Sequence, residues 1–218
     1  MLDCEIIDSQ KTANASVIWL HGLGADGHDF SPIVPQLGVN QEQLRFVFPH
    51  APMQAVTINS NYVMPTWYDI KSTDIQANED VEGFKQSQQH LHDLIEAEHN
   101  KGIDYNRIIL AGFSQGGAVV LHTGLRFSQK LAGIIALSCY LPLVDATQAE
   151  RATVNQETPI FMGHGMSDSV VPFQAGVLSR QTLTQLGYAI TWNDYAMDHS
   201  VCNEEITDIG AWINKTLG

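Results

Sequence analysis

The feature that most constrains this chain is a serine between two glycines, in the run Gly112-Phe113-Ser114-Gln115-Gly116. The apolar residues before it predict a buried strand over 107–111, and the residues after it predict a helix over 115–126. The pattern Gly-x-Ser-x-Gly between a strand and a helix is typical of a sharp turn that projects the serine hydroxyl from the end of a sheet. Glycine on both sides avoids Cβ atoms that would collide across such a turn. The run therefore predicts a nucleophilic serine on an α/β fold, with a plain helix N-cap as the alternative role of Ser114.

Short apolar runs alternate with helical patterns along the chain, and no repeat or Gly/Ser-rich linker divides it. This alternation predicts an α/β fold with a mostly parallel central sheet and helices on both faces, and we expect residues 1–218 to form one domain. The first long helix should bury a stripe that includes Val81, Phe84 and Leu91. The expected strands are 16–20, 44–48, 107–111, 133–138, 159–163 and 189–195. The expected helices are 79–100, 115–126, 173–186 and 203–217.

Charge and apolar content exclude several classes of function. The 218 residues include 24 acidic and 11 basic side chains, which gives a formal net charge of −13. An acidic surface repels phosphate backbones and anionic lipids, so we expect no nucleic-acid partner. The longest apolar stretch, residues 131–144, is too short and too interrupted to span a bilayer, so we expect no stable membrane insertion.

The cysteines and the first residues indicate the cellular compartment of the protein and whether it binds a metal. Cys4, Cys139 and Cys202 are odd in number and widely spaced, which argues against a disulfide framework and predicts free thiols. No Cys/His spacing typical of a metal site is present, so we expect no metal. The first residues lack a basic segment followed by an apolar one, so the sequence predicts no signal peptide and a cytoplasmic protein.

A nucleophilic serine needs a histidine base, and His199 is the best of nine candidates. In parallel sheets, ligands bind beyond the carboxyl ends of the strands, and His199 lies just past the expected strand 189–195. It also follows Ser114 and the candidate acid in the chain, which is the order Ser…Asp…His typical of the fold with this serine turn. A surface-loop histidine is the alternative. His90, His92 and His99 lie in the expected long helix and are predicted to be solvated, and His122, inside the helix after Ser114, is predicted to point away from it.

The carboxylate that orients the base is predicted to be Asp168. It follows the expected strand 159–163 and lies between Ser114 and His199 in the chain. Asp145 is the alternative, but it is separated from the strand 133–138 by a longer segment that contains Pro142. A buried Asp168 would fix the tautomer of His199 and stabilise the imidazolium. We expect His164 to be a structural hydrogen-bonding residue.

Two hydrogen-bond donors are needed for the oxyanion. One is expected to be the backbone N–H of Gln115, the residue after the nucleophile, and the other an N–H from the loop after an early strand. That loop begins at His21, and the N–H of Leu23 is the best candidate. Since both donors are backbone groups, we expect side-chain substitutions to test them only weakly. His21 itself is expected to pack under the loop.

Six motifs in this order and spacing resemble the phospholipase/carboxylesterase family, a group of small α/β-hydrolases that includes acyl-protein thioesterases and lysophospholipases. The resemblance runs from about residue 15 to the terminal helix and indicates an α/β-hydrolase fold without a separate lid domain. It implies that Ser114, Asp168 and His199 form the catalytic triad, with Leu23 and Gln115 at the oxyanion hole. The motifs are residues 21–27, 48–52, 67–69, 112–117, 168 and 197–200.

The family resemblance also implies an acyl-chain groove walled by a long loop, here residues 56–69. The apolar residues of this loop suit a flat acyl site, although ordinary packing would explain them nearly as well. We expect Met64 and Trp67 of the loop, together with Val171, to contact the substrate.

These residues predict a serine carboxylesterase that hydrolyses carboxylic esters or thioesters of short to medium acyl chains through an acyl-enzyme on Ser114. A lysophospholipase or an acyl-protein thioesterase is the alternative, because all three would use the same triad. A non-catalytic scaffold of the same fold is a third interpretation. The expected partner is a small-molecule ester or an acylated substrate, no cofactor is needed, and the protein is expected to be a monomer or a homodimer.

Overall fold

A seven-stranded sheet organises the structure, a computed structural model that describes residues 1–72 and 77–218. A two-stranded hairpin lies outside this sheet. The strands of the large sheet are β1 (Cys4–Ile7), β2 (Ala15–Leu20), β3 (Leu44–Pro49), β6 (Ile108–Phe113), β7 (Gly133–Leu137), β8 (Ile160–Gly165) and β9 (Ile190–Tyr195), and the hairpin consists of β4 (Met53–Val56) and β5 (Tyr62–Pro65).

The strand order of the large sheet is β1-β3-β2-β6-β7-β8-β9. All neighbours pair in parallel except β1, which runs antiparallel to β3 at one edge. The parallel strands therefore end at one side of the sheet, which is where ligands bind in such folds. The register pairs Leu20 with Gly112 and Gly165 with Tyr195, so the loops that follow β2, β6, β8 and β9 begin at this same side.

The sheet is covered on both faces because its central strands are apolar on both sides. In β2, Ile18 belongs to one hydrophobic core, whereas Val17 and Trp19 belong to the other. The first core also contains residues of three helices, and the second contains residues of the last helix. The helices are α1 (Val81–Asn100), α2 (Gln115–Arg126), α3 (Val144–Glu150), α4 (Phe173–Gln185) and α5 (Asn203–Leu217). Among the described residues, no helix combines the length and the apolarity that a bilayer crossing requires.

The expected strands and long helices are all present, with ends shifted by one or two residues. The expected helix over 79–100 begins at Val81, and this residue is 43% exposed, so its place in the buried stripe is wrong. Val81 lies in the first turn of α1, at the edge of the helix interface. Apart from short 3-10 helices, four of the described elements were not expected from the sequence: β1, the β4–β5 hairpin strands and α3.

Candidate active site

The turn between β6 and α2 holds Ser114 in an unusual backbone conformation. Its φ is 55° and its ψ is −118°, a region that L-residues rarely adopt. The backbone N–H of Ser114 donates to the carbonyl of Leu137 at 2.8 Å, which fixes the turn to the end of β7. A Cβ at Gly112 would collide with the backbone of Gly116, and a Cβ at Gly116 would lie 2.5 Å from the carbonyl oxygen of Leu20. Gly112 is thus required by the turn itself, as the sequence indicated, and Gly116 by its close approach to the end of β2.

Ser114, His199 and Asp168 meet at the carboxyl ends of their strands. Ser114 Oγ lies 2.9 Å from His199 Nε2, and His199 Nδ1 lies 2.7 Å from Asp168 Oδ2. With its proton on Nδ1, the imidazole donates to the carboxylate and accepts from the serine hydroxyl. The structure therefore brings together the three side chains that the sequence singled out.

The carboxylate of Asp168 is buried, and both of its oxygens accept hydrogen bonds from the chain. Its Oδ1 accepts the backbone N–H groups of Val170 and Val171, both at 2.9 Å. The side chain of Asp168 is fully buried, whereas that of His199 is 16% exposed. The exposed edge of the imidazole therefore faces the site, and the bond from Nδ1 to the buried carboxylate fixes the orientation of the ring.

His164 lies next to this pair without joining it. It is buried, its Nε2 donates to the carbonyl of Val171 at 2.9 Å, and this nitrogen is 3.5 Å from Asp168 Oδ2. Burial lowers the pKa of His164, which keeps the ring neutral. These contacts match the structural role expected for it.

The alternative candidates lie elsewhere. Asp145 is an exposed residue in the first turn of α3 and has no hydrogen bond to His199. His122 is buried against the ring of Phe84 and bonds to Gln88.

Phe113, which the sequence did not single out, packs its ring 4.7 Å from that of His199. Its position directly before Ser114 is the sequence signal that could have identified this neighbour of the imidazole.

The backbone N–H groups of Leu23 and Gln115, the two expected oxyanion donors, have no protein acceptor among the described residues. Gln115 is the first residue of α2, so no carbonyl of the helix lies four residues before it. Leu23 lies in the loop that follows β2, the strand next to β6. Both groups are therefore available to an oxyanion, and their role in catalysis stays a prediction.

The side chain of His21 holds the loop after β2 in place by two hydrogen bonds. It is buried, its Nδ1 donates to the carbonyl of Gly22 at 2.7 Å, and its Nε2 accepts the N–H of Ala51 at 3.1 Å. Burial lowers the pKa of His21, in agreement with a neutral ring that donates from one nitrogen and accepts at the other. His21 thus ties the loop after β2 to the segment after β3.

The three residues expected to contact substrate differ in exposure. Met64, at the end of the β4–β5 hairpin, is half-buried. Trp67 is only 2% exposed and donates from Nε1 to the carbonyl of His21 at 2.9 Å, and Val171 is 6% exposed. The indole of Trp67 therefore has an internal structural role. Substrate contact by these side chains stays a prediction, and Met64 offers the most surface for it.

One cluster of side chains among the described residues could hold a metal ion. Ligand atoms of Asp26, His28 and His50 lie within 4.8 Å of one another. These groups already bond within the loops: the N–H of Gly27 donates to His50 Nδ1 at 3.1 Å, and His28 Nδ1 lies 3.0 Å from Asp26 Oδ1. These bonds give the three side chains a role in loop structure.

A cleft of about 510 Å³ lies between α3 and α4, away from these residues. Its lining includes Glu79, Leu178 and the alternative acid Asp145, and none of the three triad residues. The residues around Ser114 are identified as the candidate site by their chemistry.

Comparison with known proteins relates this arrangement to hydrolases. Residues 2–217 match the model of a family described as phospholipase/carboxylesterase. Acyl-protein thioesterase 1 of Neurospora crassa is 42% identical over 213 residues, which cover 93% of this chain and 87% of the relative. Acyl-protein thioesterase 1 of Yarrowia lipolytica is 39% identical over 97% of this chain and 96% of the relative.

Solved structures give the same relation at the level of fold. The crystal structure of SOBER1 from Arabidopsis thaliana superposes with a TM-score of 0.89 at 29% identity, covering 94% of this chain and 100% of that one. Acyl-protein thioesterase 2 of Zea mays superposes with a TM-score of 0.88 at 23% identity, over the full length of both chains.

Proposed function

The chain belongs to the phospholipase/carboxylesterase family, and from this premise we propose that it is a serine hydrolase that works through an acyl-enzyme on Ser114. Its fold is the α/β-hydrolase fold that the sequence predicted, and its relatives make it a hydrolase of acyl esters. The observation that carries the proposal is the pair of short contacts at His199, 2.9 Å to Ser114 Oγ and 2.7 Å to Asp168 Oδ2.

The geometry supports a two-step reaction. His199 Nε2 takes the proton of Ser114 as the serine oxygen attacks the carbonyl carbon, and the N–H groups of Leu23 and Gln115 donate to the oxyanion. The imidazolium then protonates the leaving alcohol or thiol, which departs and leaves an acyl-serine. A water molecule, deprotonated by the same nitrogen, then attacks the acyl group. His199 returns the proton to the serine oxygen as the acyl bond breaks, which releases the free acid and restores Ser114.

The position of α2 adds to the stabilisation of charge. Ser114 is the residue before the first turn of this helix, whose free N–H groups and positive dipole end point toward the serine. Asp168 stabilises the imidazolium without taking its proton, since both of its oxygens already accept hydrogen bonds.

Substitution of the nucleophile tests this proposal. Ser114→Ala should lower kcat on p-nitrophenyl butyrate by about 10⁶-fold, the loss typical of a serine hydrolase without its nucleophile. A fluorophosphonate should label the parent protein stoichiometrically and leave Ser114→Ala unlabelled.

Ser200→Ala is a matched control at the same end of the sheet, because the Ser200 hydroxyl bonds to Asp198 and not to the triad. It should keep both turnover and labelling. Turnover or labelling of Ser114→Ala at the parental level would refute the proposal, and so would equal losses in both variants.

A narrower substrate is favoured by the relatives. Several curated relatives of 35–42% identity are named acyl-protein thioesterase 1, so we propose acyl thioesters of protein cysteines as the preferred substrates within this activity. Carboxylic esters and lysophospholipids remain the competing substrates, because the triad is the same for all three.

One acyl chain on three leaving groups separates these substrates. Octanoyl groups on a cysteine-containing peptide, on p-nitrophenol and on a glycerophosphocholine would be compared by kcat/KM. The thioester proposal expects the highest kcat/KM for the peptide thioester after correction for the leaving-group pKa. A preference for the lysophospholipid would contradict it.

A further inference from the structure

The side chain of Gln115 has a place in this site that its backbone role does not explain. It is only 3% exposed and points away from Ser114 into the segment Thr66-Trp67-Tyr68. Its Oε1 accepts the backbone N–H of Trp67 at 2.9 Å, and its Nε2 donates to the Tyr68 carbonyl at 2.6 Å and to Thr66 Oγ1 at 2.8 Å. All the hydrogen-bonding groups of this amide are thus directed at one short segment.

The same segment holds the loop that carries Leu23. Trp67 Nε1 donates to the carbonyl of His21 at 2.9 Å, and the N–H of Gly24 donates to the carbonyl of Pro65, also at 2.9 Å. These two bonds fall on either side of Leu23 in the chain. The segment 65–68 is therefore bonded to both sides of the oxyanion site, to the loop after β2 and to the first residue of α2.

We propose that the side chain of Gln115 is a positioning residue that sets the distance between the two oxyanion donors, the backbone N–H groups of Leu23 and Gln115. The inference rests on the proposed function, because it assigns a role within the same acyl-transfer site. It differs from the expectation drawn from the sequence, that side-chain substitutions would test these donors only weakly.

The physical requirement behind this role is one of distance. Oxyanion donors must lie about 2.7–3.1 Å from the developing charge, and displacements near 1 Å can cost about 10²-fold in rate. Leu23 lies in a loop, so the position of its N–H relative to Ser114 depends on the bonds that connect this loop to the element carrying Ser114. The bonds through segment 65–68 supply that connection, and the buried amide of Gln115 is its contact with α2.

Replacement of the amide by an apolar chain of similar length isolates this role. Gln115→Met keeps the backbone donor and most of the side-chain volume. It leaves the Trp67 N–H without its acceptor and removes one of the two donors to the Tyr68 carbonyl, which keeps its bond from the Thr66 hydroxyl. We expect kcat on p-nitrophenyl butyrate to fall about 10- to 100-fold, less than the loss of a whole donor, while KM stays within threefold. A trifluoromethyl ketone, which binds serine as an oxyanion adduct, should lose affinity by the same factor as kcat/KM.

Thr158→Val is the matched control for lost stability. Thr158 is also fully buried and its hydroxyl donates to Asn155 at 2.7 Å, but it precedes β8 at the opposite side of the sheet. This variant should lower Tm without lowering kcat. Trp67→Phe gives a second test of the connection, since it keeps a ring and removes the donor to His21, and the same readouts on this variant test the role if Gln115→Met does not fold.

The outcomes separate this inference from the proposed function. Parental turnover in Ser114→Ala overturns the function itself. If Ser114→Ala is inactive, a Gln115→Met protein with kcat within twofold of the parent overturns the positioning role. That role is also overturned if Thr158→Val loses as much kcat, or if the trifluoromethyl ketone binds Gln115→Met as tightly as it binds the parent.

Discussion

Ser114 shows how one residue can be held in a conformation that is unfavourable on its own. A non-glycine residue in this region of φ and ψ costs of the order of 1–3 kcal/mol and persists only where its surroundings fix it. Here the surroundings are the bond from its N–H to Leu137 and the absence of side chains at Gly112 and Gly116. The strain places the hydroxyl where His199 Nε2 can reach it.

The orientation of His199 depends on Asp168, so a change at this carboxylate should act through the imidazole. Asp168→Asn would put an amide where Nδ1 now donates, and the imidazole would be left in the wrong tautomer. We expect kcat on p-nitrophenyl butyrate to fall by roughly 10⁴-fold with the fold intact. Steady-state kinetics and circular dichroism would measure the two properties.

Asp145→Asn is the control for that substitution, because Asp145 is the other aspartate that the sequence offered and it lies exposed on α3. Its kcat should stay within twofold of the parent. A large loss in Asp145→Asn, together with parental activity in Asp168→Asn, would reverse the assignment of the acid.

At the scale of elements, the parts predicted from sequence were those that short patterns determine. The apolar runs around Val17 and Ile109 could be recognised as strands because each is buried on both faces. Asp168 could be found because it follows such a run, and His199 because it follows the alternating, only partly buried strand β9. β1 was missed because Cys4–Ile7 is a mixed, half-exposed edge strand without such a run.

Contacts between distant segments could not be predicted in this way. The bonds of Gln115 to residues 66–68 span nearly fifty positions and depend on how the loop folds over α2. Glu205 gives a second example. It follows an exposed glutamate in the first turn of α5, yet its side chain is fully buried because the helix presents this position to β8.

The docking of α5 provides a prediction about an element. Gly210 lies inside this helix, where alanine would ordinarily add about 0.5–1 kcal/mol of stability. A Cβ at this position, however, would collide with the backbone of Leu37, which cannot rotate away as a side chain would. Since overpacking costs about 1–3 kcal/mol, we expect Gly210→Ala to lower Tm by several degrees, as measured by calorimetry.

Thr207→Ala serves as the control within the same helix. Thr207 is exposed, and its hydroxyl donates only to the carbonyl of Asn203 in the same helix, at 2.9 Å. The substitution therefore changes helix propensity and this local bond alone, and Tm should stay the same or rise slightly. If Gly210→Ala also raised Tm, the close approach of α5 to Leu37 would not describe the folded protein.

For the molecule as a whole, Glu205 links folding to pH. Both of its carboxyl oxygens lack a hydrogen-bond partner among the described residues, and the group lies against Gly163 of β8. Burial, with a smaller contribution from the charge of Asp208, raises the pKa of Glu205 from its ordinary value of 4.5 to about 8. The folded protein therefore keeps this proton at a pH where the unfolded chain has released it.

The sign of the effect follows from proton binding. Below pH 4.5 both states hold the proton, and between 4.5 and about 8 only the folded state does, so the free energy of unfolding falls as the pH rises through that range. Glu205→Gln removes this dependence. Its stability relative to the parent should increase from pH 5 to pH 9, by at most about 5 kcal/mol for such a pKa difference. Urea unfolding at pH 5, 7 and 9 would measure this difference in the free energy of unfolding.

Glu204→Gln, which changes the exposed neighbour, is the control. Its free energy of unfolding should vary with pH as that of the parent does. If the free energy of unfolding of Glu205→Gln also varied with pH like that of the parent, Glu205 would be ionised in the folded protein, with water or a cation as its partner.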